Sequence, residues 1–302
     1  MTVKELNLRY FHSVAKTGSL SSAAEDLHVA VSAVSRQITN LESRLDVKLF
    51  HRRPRGMELT EAGELLLAYA LRNQLEVSNL IDEIQGLTKK NKKKIKLACP
   101  EGMAWHFLPS AIAGFSYDNP GVSFDLQVVD SSQASELVKE GKVDIALTFS
   151  LSVSVGVKVV SSHNAAIWAL MSKDHPLSCM DTLSVSELAD YPLAMSLGGT
   201  TMRYLFDASC SLSGLDISPR FSCDSLSAIY TMVNELPNMV ALCGAIAVMG
   251  KSEKDGLVLR PMREPQFSQR SLQIQVMSDR KFPSDIERFL GFLCERLDAS
   301  CI

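Results

Sequence analysis

At 302 residues the chain is long enough for two or three domains, and its 46% apolar content is ample for true cores. Its formal charge of −3 says nothing for nucleic acid overall, and no stretch reaches the roughly 18 consecutive apolar residues of a membrane span. The seven cysteines have no C-x-x-C spacing, which argues against a structural zinc site.

The charge is uneven. Up to Thr60, Lys and Arg outnumber Asp and Glu, and a basic head on an acidic body suggests one DNA-facing part. The opening MTVKELNLRYF lacks the apolar core of a signal peptide. A cytoplasmic protein is therefore expected, with free thiols and without metal or cofactor.

In chain order, Leu6, Tyr10, Phe11 and Val14 form the apolar face of a first helix ending near Gly18. Ala23, Ala24 and Leu27 mark a second, and Leu27-His28-Val29 the turn after it. Val34, Ile38, Leu41 and Leu45 give the stripe of a third helix. Ser32, Ser35, Arg36 and Asn40 then fall on its other faces, and such side chains on an outward face suit major-groove reading. The run His51 to Gly56, with Arg52, Arg53 and Arg55, reads as a hairpin turn that could sit against phosphates.

Thr60 is placed to cap a long helix reaching about Leu87. Leu66, Ala70, Val77, Leu80, Ile84 and Leu87 form a heptad-like seam on it, which predicts pairing with a second chain. Lys89 to Lys94 reads as a solvated hinge. From Ile95 onward strands alternate with helices, an α/β pattern. Strands are expected at 95–99, 122–129, 143–149, 157–160, 165–171, 240–242 and 272–278. Helices are expected at 107–115, 134–139, 183–188, 201–211, 225–234 and 284–297. The polar stretch Ser161 to Asn164 is where the chain is expected to cross to a second lobe.

These motifs carry a resemblance. A-A-x-x-L at Ala23 to Leu27, A-V-S-R-Q-I at Ala33 to Ile38, L-E at Leu41-Glu42, L-F-x-R at Leu49 to Arg52 and L-T-x-A-G at Leu59 to Gly63 resemble the LysR-type transcriptional regulators. The resemblance implies an α/β chain with a winged helix-turn-helix (1–60), a linker helix that pairs subunits (61–88) and a hinge (89–94). An effector domain like a periplasmic binding protein follows (95–302), with lobe I at 95–162 and 268–302 and lobe II at 163–267. It implies a double-stranded DNA operator, a small-molecule effector, a homodimer assembling to a homotetramer, and RNA polymerase as partner if the protein activates. It also implies DNA contacts at Ser32, Ser35 and Arg36. One departure concerns Ala30-Val31, where the family commonly has Ser or Thr followed by Gln. Ala30 offers no capping oxygen, and Val31 exchanges a bidentate adenine contact for packing on a thymine methyl.

Three stretches converge on the inter-lobe cleft under this resemblance: Pro100-Glu101-Gly102-Met103, Thr148-Phe149, and Thr200-Thr201, with Ser225 beside them. Glu101 departs from the Ser or Thr common there. Its carboxylate tilts the expectation towards a cationic or amine-bearing effector, unless it faces solvent or pairs with a nearby Arg or Lys. Two alternatives remain. A redox-sensing regulator would need a cysteine where this chain has Thr201, with Cys210 near the partner position. An α/β enzyme would need an arrangement such as G-x-S-x-G, which is absent.

Overall fold

A computed structural model describes residues 5–54, 56–86, 93–152 and 156–300. It divides into two compact units, Met1–Lys90 and Asn91–Ile302.

The first unit begins with α1 (Glu5–Thr17), α2 (Leu20–Leu27) and α3 (Val31–Leu45). Gly18, in the left-handed region at φ 64°, ends α1, and Ser19 caps α2 by accepting the Ser22 amide. His28 takes a left-handed conformation and closes α2. Ala30 opens α3 without a side-chain cap, which costs about 1 kcal/mol relative to Ser. Phe11, Val14, Ala23, Ala24, Val34, Ile38 and Leu41 form the core with Leu49 and Phe50. Full burial of each larger side chain contributes about 1.5–3 kcal/mol.

A hairpin follows, β1 (Phe50–Arg53) antiparallel to β2 (Gly56–Leu59). Gly56 lies so close to the turn after α1 that a Cβ would meet Gly18 O at 2.5 Å, and Met57 N–H donates to that same carbonyl at 2.8 Å. Thr60 then caps α4 (Glu61–Gly86): its Oγ1 accepts from Gly63 N–H at 3.1 Å and donates to Lys48 O at 2.7 Å. Arg55, Leu87 and the expected hinge positions 89–92 lie outside the described residues.

The seam expected on α4 needs correction. Leu66 packs on the unit's own core and Ala70 is buried, so neither faces outward. The apolar stripe left open in this chain runs instead through Leu65, Tyr69, Val77, Leu80, Ile81 and Ile84.

The second unit holds two five-stranded sheets. The chain runs β3 (Lys93–Cys99), α5 (Glu101–Ala104), α6 (Phe107–Asp118), β4 (Val122–Val128), α7 (Ser131–Lys139), β5 (Ile145–Ser150) and β6 (Val157–Asn164). It continues with β7 (Ile167–Ser172), α8 (Val185–Leu188), β8 (Leu193–Ser196), α9 (Thr201–Leu212), β9 (Phe221–Cys223), α10 (Leu226–Glu235), β10 (Val240–Gly244), α11 (Ala245–Val248) and β11 (Leu257–Pro261). It returns through β12 (Ser271–Met277) and ends in α12 (Ser284–Ser300). The order in lobe I is β4-β3-β5-β12-β6, and in lobe II β11-β7-β10-β8-β9. Strands β3, β4 and β5 are mutually parallel, while β12 runs antiparallel to β5 and β6. Phe115, Phe124 and Phe289 pack edge to face in the core of lobe I.

The expected crossing at Ser161–Asn164 is instead the last half of β6, where Asn164 pairs with Ser271. Polar residues alternate there because β6 lies at the sheet edge, half solvated. The lobe boundary set at 162/163 thus falls inside a strand. The chain leaves lobe I at Ala165–Ala166 and returns at Gln269–Arg270. These two crossings are tied together: Ala165 N–H donates to Arg270 O, and Arg270 Nε donates to Ala165 O, both at 2.9 Å. Leu183, expected in a helix, forms an isolated bridge with Met262.

Candidate functional site

In the first unit, burying Val34, Ile38 and Leu41 turns the opposite face of α3 to solvent. Val31, Ser32, Arg36 and Asn40 are exposed and Ser35 is half-buried. Hydroxyl, amide and guanidinium groups thus lie beside one apolar methyl-bearing residue. Arg52 and Arg53 are exposed on β1. Arg53 Nε pairs with Glu58 Oε2 across the hairpin at 3.2 Å with both side chains mostly in water, an arrangement worth about 1 kcal/mol or less.

Glu42 holds the hairpin to α3. Its buried Oε1 accepts Leu49 N–H at 3.0 Å, and Oε2 meets Lys48 Nζ at 2.7 Å. Burial alone would raise this carboxyl's pKa. The donors from Lys48, Leu49 and Phe50 outweigh it and hold the group below the usual glutamate value.

In the second unit, the stretch after β3 bridges the two lobes. Glu101, at the start of α5 in lobe I, reaches the first turn of α10 in lobe II. Leu226 N–H donates to Oε2 at 2.5 Å, Ser227 N–H to Oε1 at 3.3 Å, and Ser225 Oγ–H to Oε1 at 3.0 Å. A carboxylate on helix-terminal amides is a stabilising arrangement. Gly102 lies alongside, where a Cβ would meet Ala247 Cβ at 3.2 Å and Phe149 Cε2 at 3.7 Å. Trp105 completes the contact edge to face on Tyr230, with ring centroids 4.9 Å apart. The expectation of a cationic effector rested on an available Glu101 carboxylate. Both its oxygens instead accept hydrogen bonds from the start of α10.

The other expected pocket residues separate. Pro100 and Ser225 are half-buried beside Glu101, and Ser225 also caps α10 by accepting Ala228 N–H at 3.4 Å. Thr200 is exposed and caps α9, accepting Arg203 N–H at 3.1 Å, with Thr201 in the first turn. Met103 and Thr148 are fully enclosed. Met103 belongs to the lobe I core, so in this state neither presents a surface, contrary to expectation. Phe149 carries Arg270 on its ring face, guanidinium carbon to centroid 4.3 Å. Arg270 has no signature in sequence that would single it out; its role depends on burial.

Cys210 and His163, two groups that the alternative chemistries could draw on, are poorly placed for them. Burial, reinforced by Asp207, pushes the Cys210 thiol up to about 11, a protonated and unreactive state at neutral pH. His163 Nε2 lies 2.7 Å from Ser161 Oγ and 3.3 Å from Asp298 Oδ1. One nitrogen facing both groups cannot relay a proton from one to the other. Among the described residues no group of His, Cys, Asp and Glu is suited to a metal, and no helix is long and apolar enough to cross a membrane.

Comparison with known proteins agrees with this division. Residues 6–64 match the family described as bacterial regulatory helix-turn-helix protein, lysR family, and residues 88–298 match the LysR substrate binding domain. A probable nitrogen assimilation transcriptional activator of Synechococcus elongatus is 28% identical over 260 residues, covering 85% of this chain and 84% of the relative. Among solved structures, HinK, a LysR family transcriptional regulator from Pseudomonas aeruginosa, superposes with a TM-score of 0.55 at 21% identity, covering 98% and 99% of the two chains. A full-length OxyR variant from Pseudomonas aeruginosa gives a TM-score of 0.59 at 19% identity, covering 98% and 95%.

Proposed function

The chain belongs to the LysR family of transcriptional regulators, and from that premise we propose how its two units divide the work. α3 enters the major groove of an operator and reads bases with Val31, Ser32, Ser35 and Arg36. Arg52, Arg53 and Arg55 meet phosphates at the hairpin. The observation that carries this reading is the exposed polar face of α3 directly opposite its buried stripe. Phosphate contacts supply affinity and position, while the α3 side chains supply discrimination.

The second unit senses a small polar effector between its lobes, at the segment following β3, Phe149 and the start of α10. Binding shifts the lobe arrangement only through differential affinity for the two arrangements. The readout is the spacing of paired heads and the bend of the DNA rather than the base contacts themselves. Pairing runs through the open stripe of α4, giving a homodimer, with a tetramer as the higher assembly. Such a protein works in the cytoplasm, and RNA polymerase is its partner where it activates. The test is a footprint of the full chain on DNA upstream of its own gene. Protection of two half-sites on one duplex face, about 10.5 base pairs or a multiple apart, is expected; an unprotected duplex would refute the reading.

A further inference from the structure

Arg270 is 5% exposed, on the segment where the chain returns to lobe I. The buried acids of this unit are matched by arginines: Asp144 pairs with Arg280 at 2.6 Å and Asp285 with Arg288. Arg270 has no carboxylate partner among the described residues. Its Nε is spent on Ala165 O and its face on Phe149, while its Nη2 is buried with no hydrogen-bond partner. Space is kept for that nitrogen by Gly244, where a Cβ would come within 2.7 Å of it. Burying a cation without a counter-ion is strongly unfavourable, and a guanidinium is shaped for planar oxyanions.

We propose that Arg270 is an anion-binding residue, and that the effector carries a carboxylate or similar oxyanion which pairs with Arg270 Nη2 beside Phe149 and Gly244. This deepens the effector-sensing role proposed above and rests on it. The position accounts for a choice of charge opposite to the one Glu101 suggests in sequence. The Glu101 carboxylate is already taken up by α10, whereas the charge left unmatched is positive. Burial lowers the Arg270 pKa to about 10, so the group stays a cation at neutral pH. The position also links binding to movement. Arg270 and Ala165 are the paired crossings between lobes, so an oxyanion drawing on Nη2 acts on the hydrogen bonds that set the lobe angle.

The test is thermal melting and calorimetry of the full chain with three matched sets: mono- and dicarboxylates of two to six carbons, the corresponding amides, and the corresponding amines. Wild-type protein is expected to be stabilised by members of the carboxylate set and not by their amides or amines. Arg270→Met and Gly244→Ala should each weaken that binding about 10- to 100-fold, the weight of a charge-assisted hydrogen bond. Gly244→Ala crowds only the far end of a flexible side chain, so it carries the comparison by itself should Arg270→Met fail to fold. Carboxylates that bind both variants as tightly as wild type, or a preference for amines, would overturn the role of Arg270 while leaving the effector site standing. Stabilisation by none of the three sets would overturn both.

Discussion

Glu101 and Leu226, 125 positions apart in sequence, meet in a hydrogen bond of 2.5 Å that joins lobe I to lobe II. The carboxylate occupies the place a bound anion would take at the start of α10, and so acts as a tethered clasp across the cleft.

Replacing this charge should loosen the clasp without emptying it. Glu101→Gln keeps the size and one acceptor, but turns charge-assisted hydrogen bonds into neutral ones, a loss of about 1–3 kcal/mol. The melting temperature of the effector domain should fall by about 2–4 °C per kcal/mol. Amide exchange at Leu226 and Ser227 should quicken. Unchanged exchange at both amides would mean that the clasp carries no weight.

A second prediction concerns acid. The Glu42 carboxyl titrates below its ordinary value of 4.5 in the folded head. Its contribution is therefore complete above that ordinary value and is lost as pH falls through the lower folded-state value. Glu42→Gln should destabilise the head by about 1–3 kcal/mol at pH 7. The gap between wild type and variant should close as pH drops below the folded-state value. A gap that stays constant down to acid pH would assign the loss to packing instead of charge.

The open stripe of α4 predicts where chains pair. Leu80 is 55% and Ile84 56% exposed within one chain. Replacing both with Lys places charge in a seam that must be dry, and should convert the oligomer to monomer in sedimentation. Leu66→Ala should instead cost the head about 2 kcal/mol of stability with no change in oligomer. The reverse pattern would put Leu66, and not the outer stripe, at the interface.

These cases also show how much the sequence discloses. Val34, Ile38 and Leu41 recur at helical spacing and are buried, so α3 and its outward face are legible from pattern alone. The two stripes of α4, Leu65-Tyr69 and Leu66-Ala70, differ by one position. Periodicity cannot tell which of them faces the head, because that depends on where β1 and Gly63 hold the helix. Strands β8, β9 and β11 are short, at four, three and five residues, and leave too few alternations to register. Ser161 to Asn164 reads in sequence as a crossing between lobes because an edge strand carries polar residues on its wet face. Glu101 and Arg270 were beyond reach for a different reason. What a charge does depends on its partners, and theirs lie more than 100 positions away.

The proposed reading of sequence by α3 can be measured directly. Duplexes selected from a random pool by the full-length protein should share a motif of two half-sites. Arg36→Ala should lose about 1–3 kcal/mol of discrimination at the bases it contacts, so that the motif blurs there while binding to random DNA persists. Enrichment of the same motif, equally sharp, by Arg36→Ala and by a Ser32→Ala, Ser35→Ala pair would contradict it.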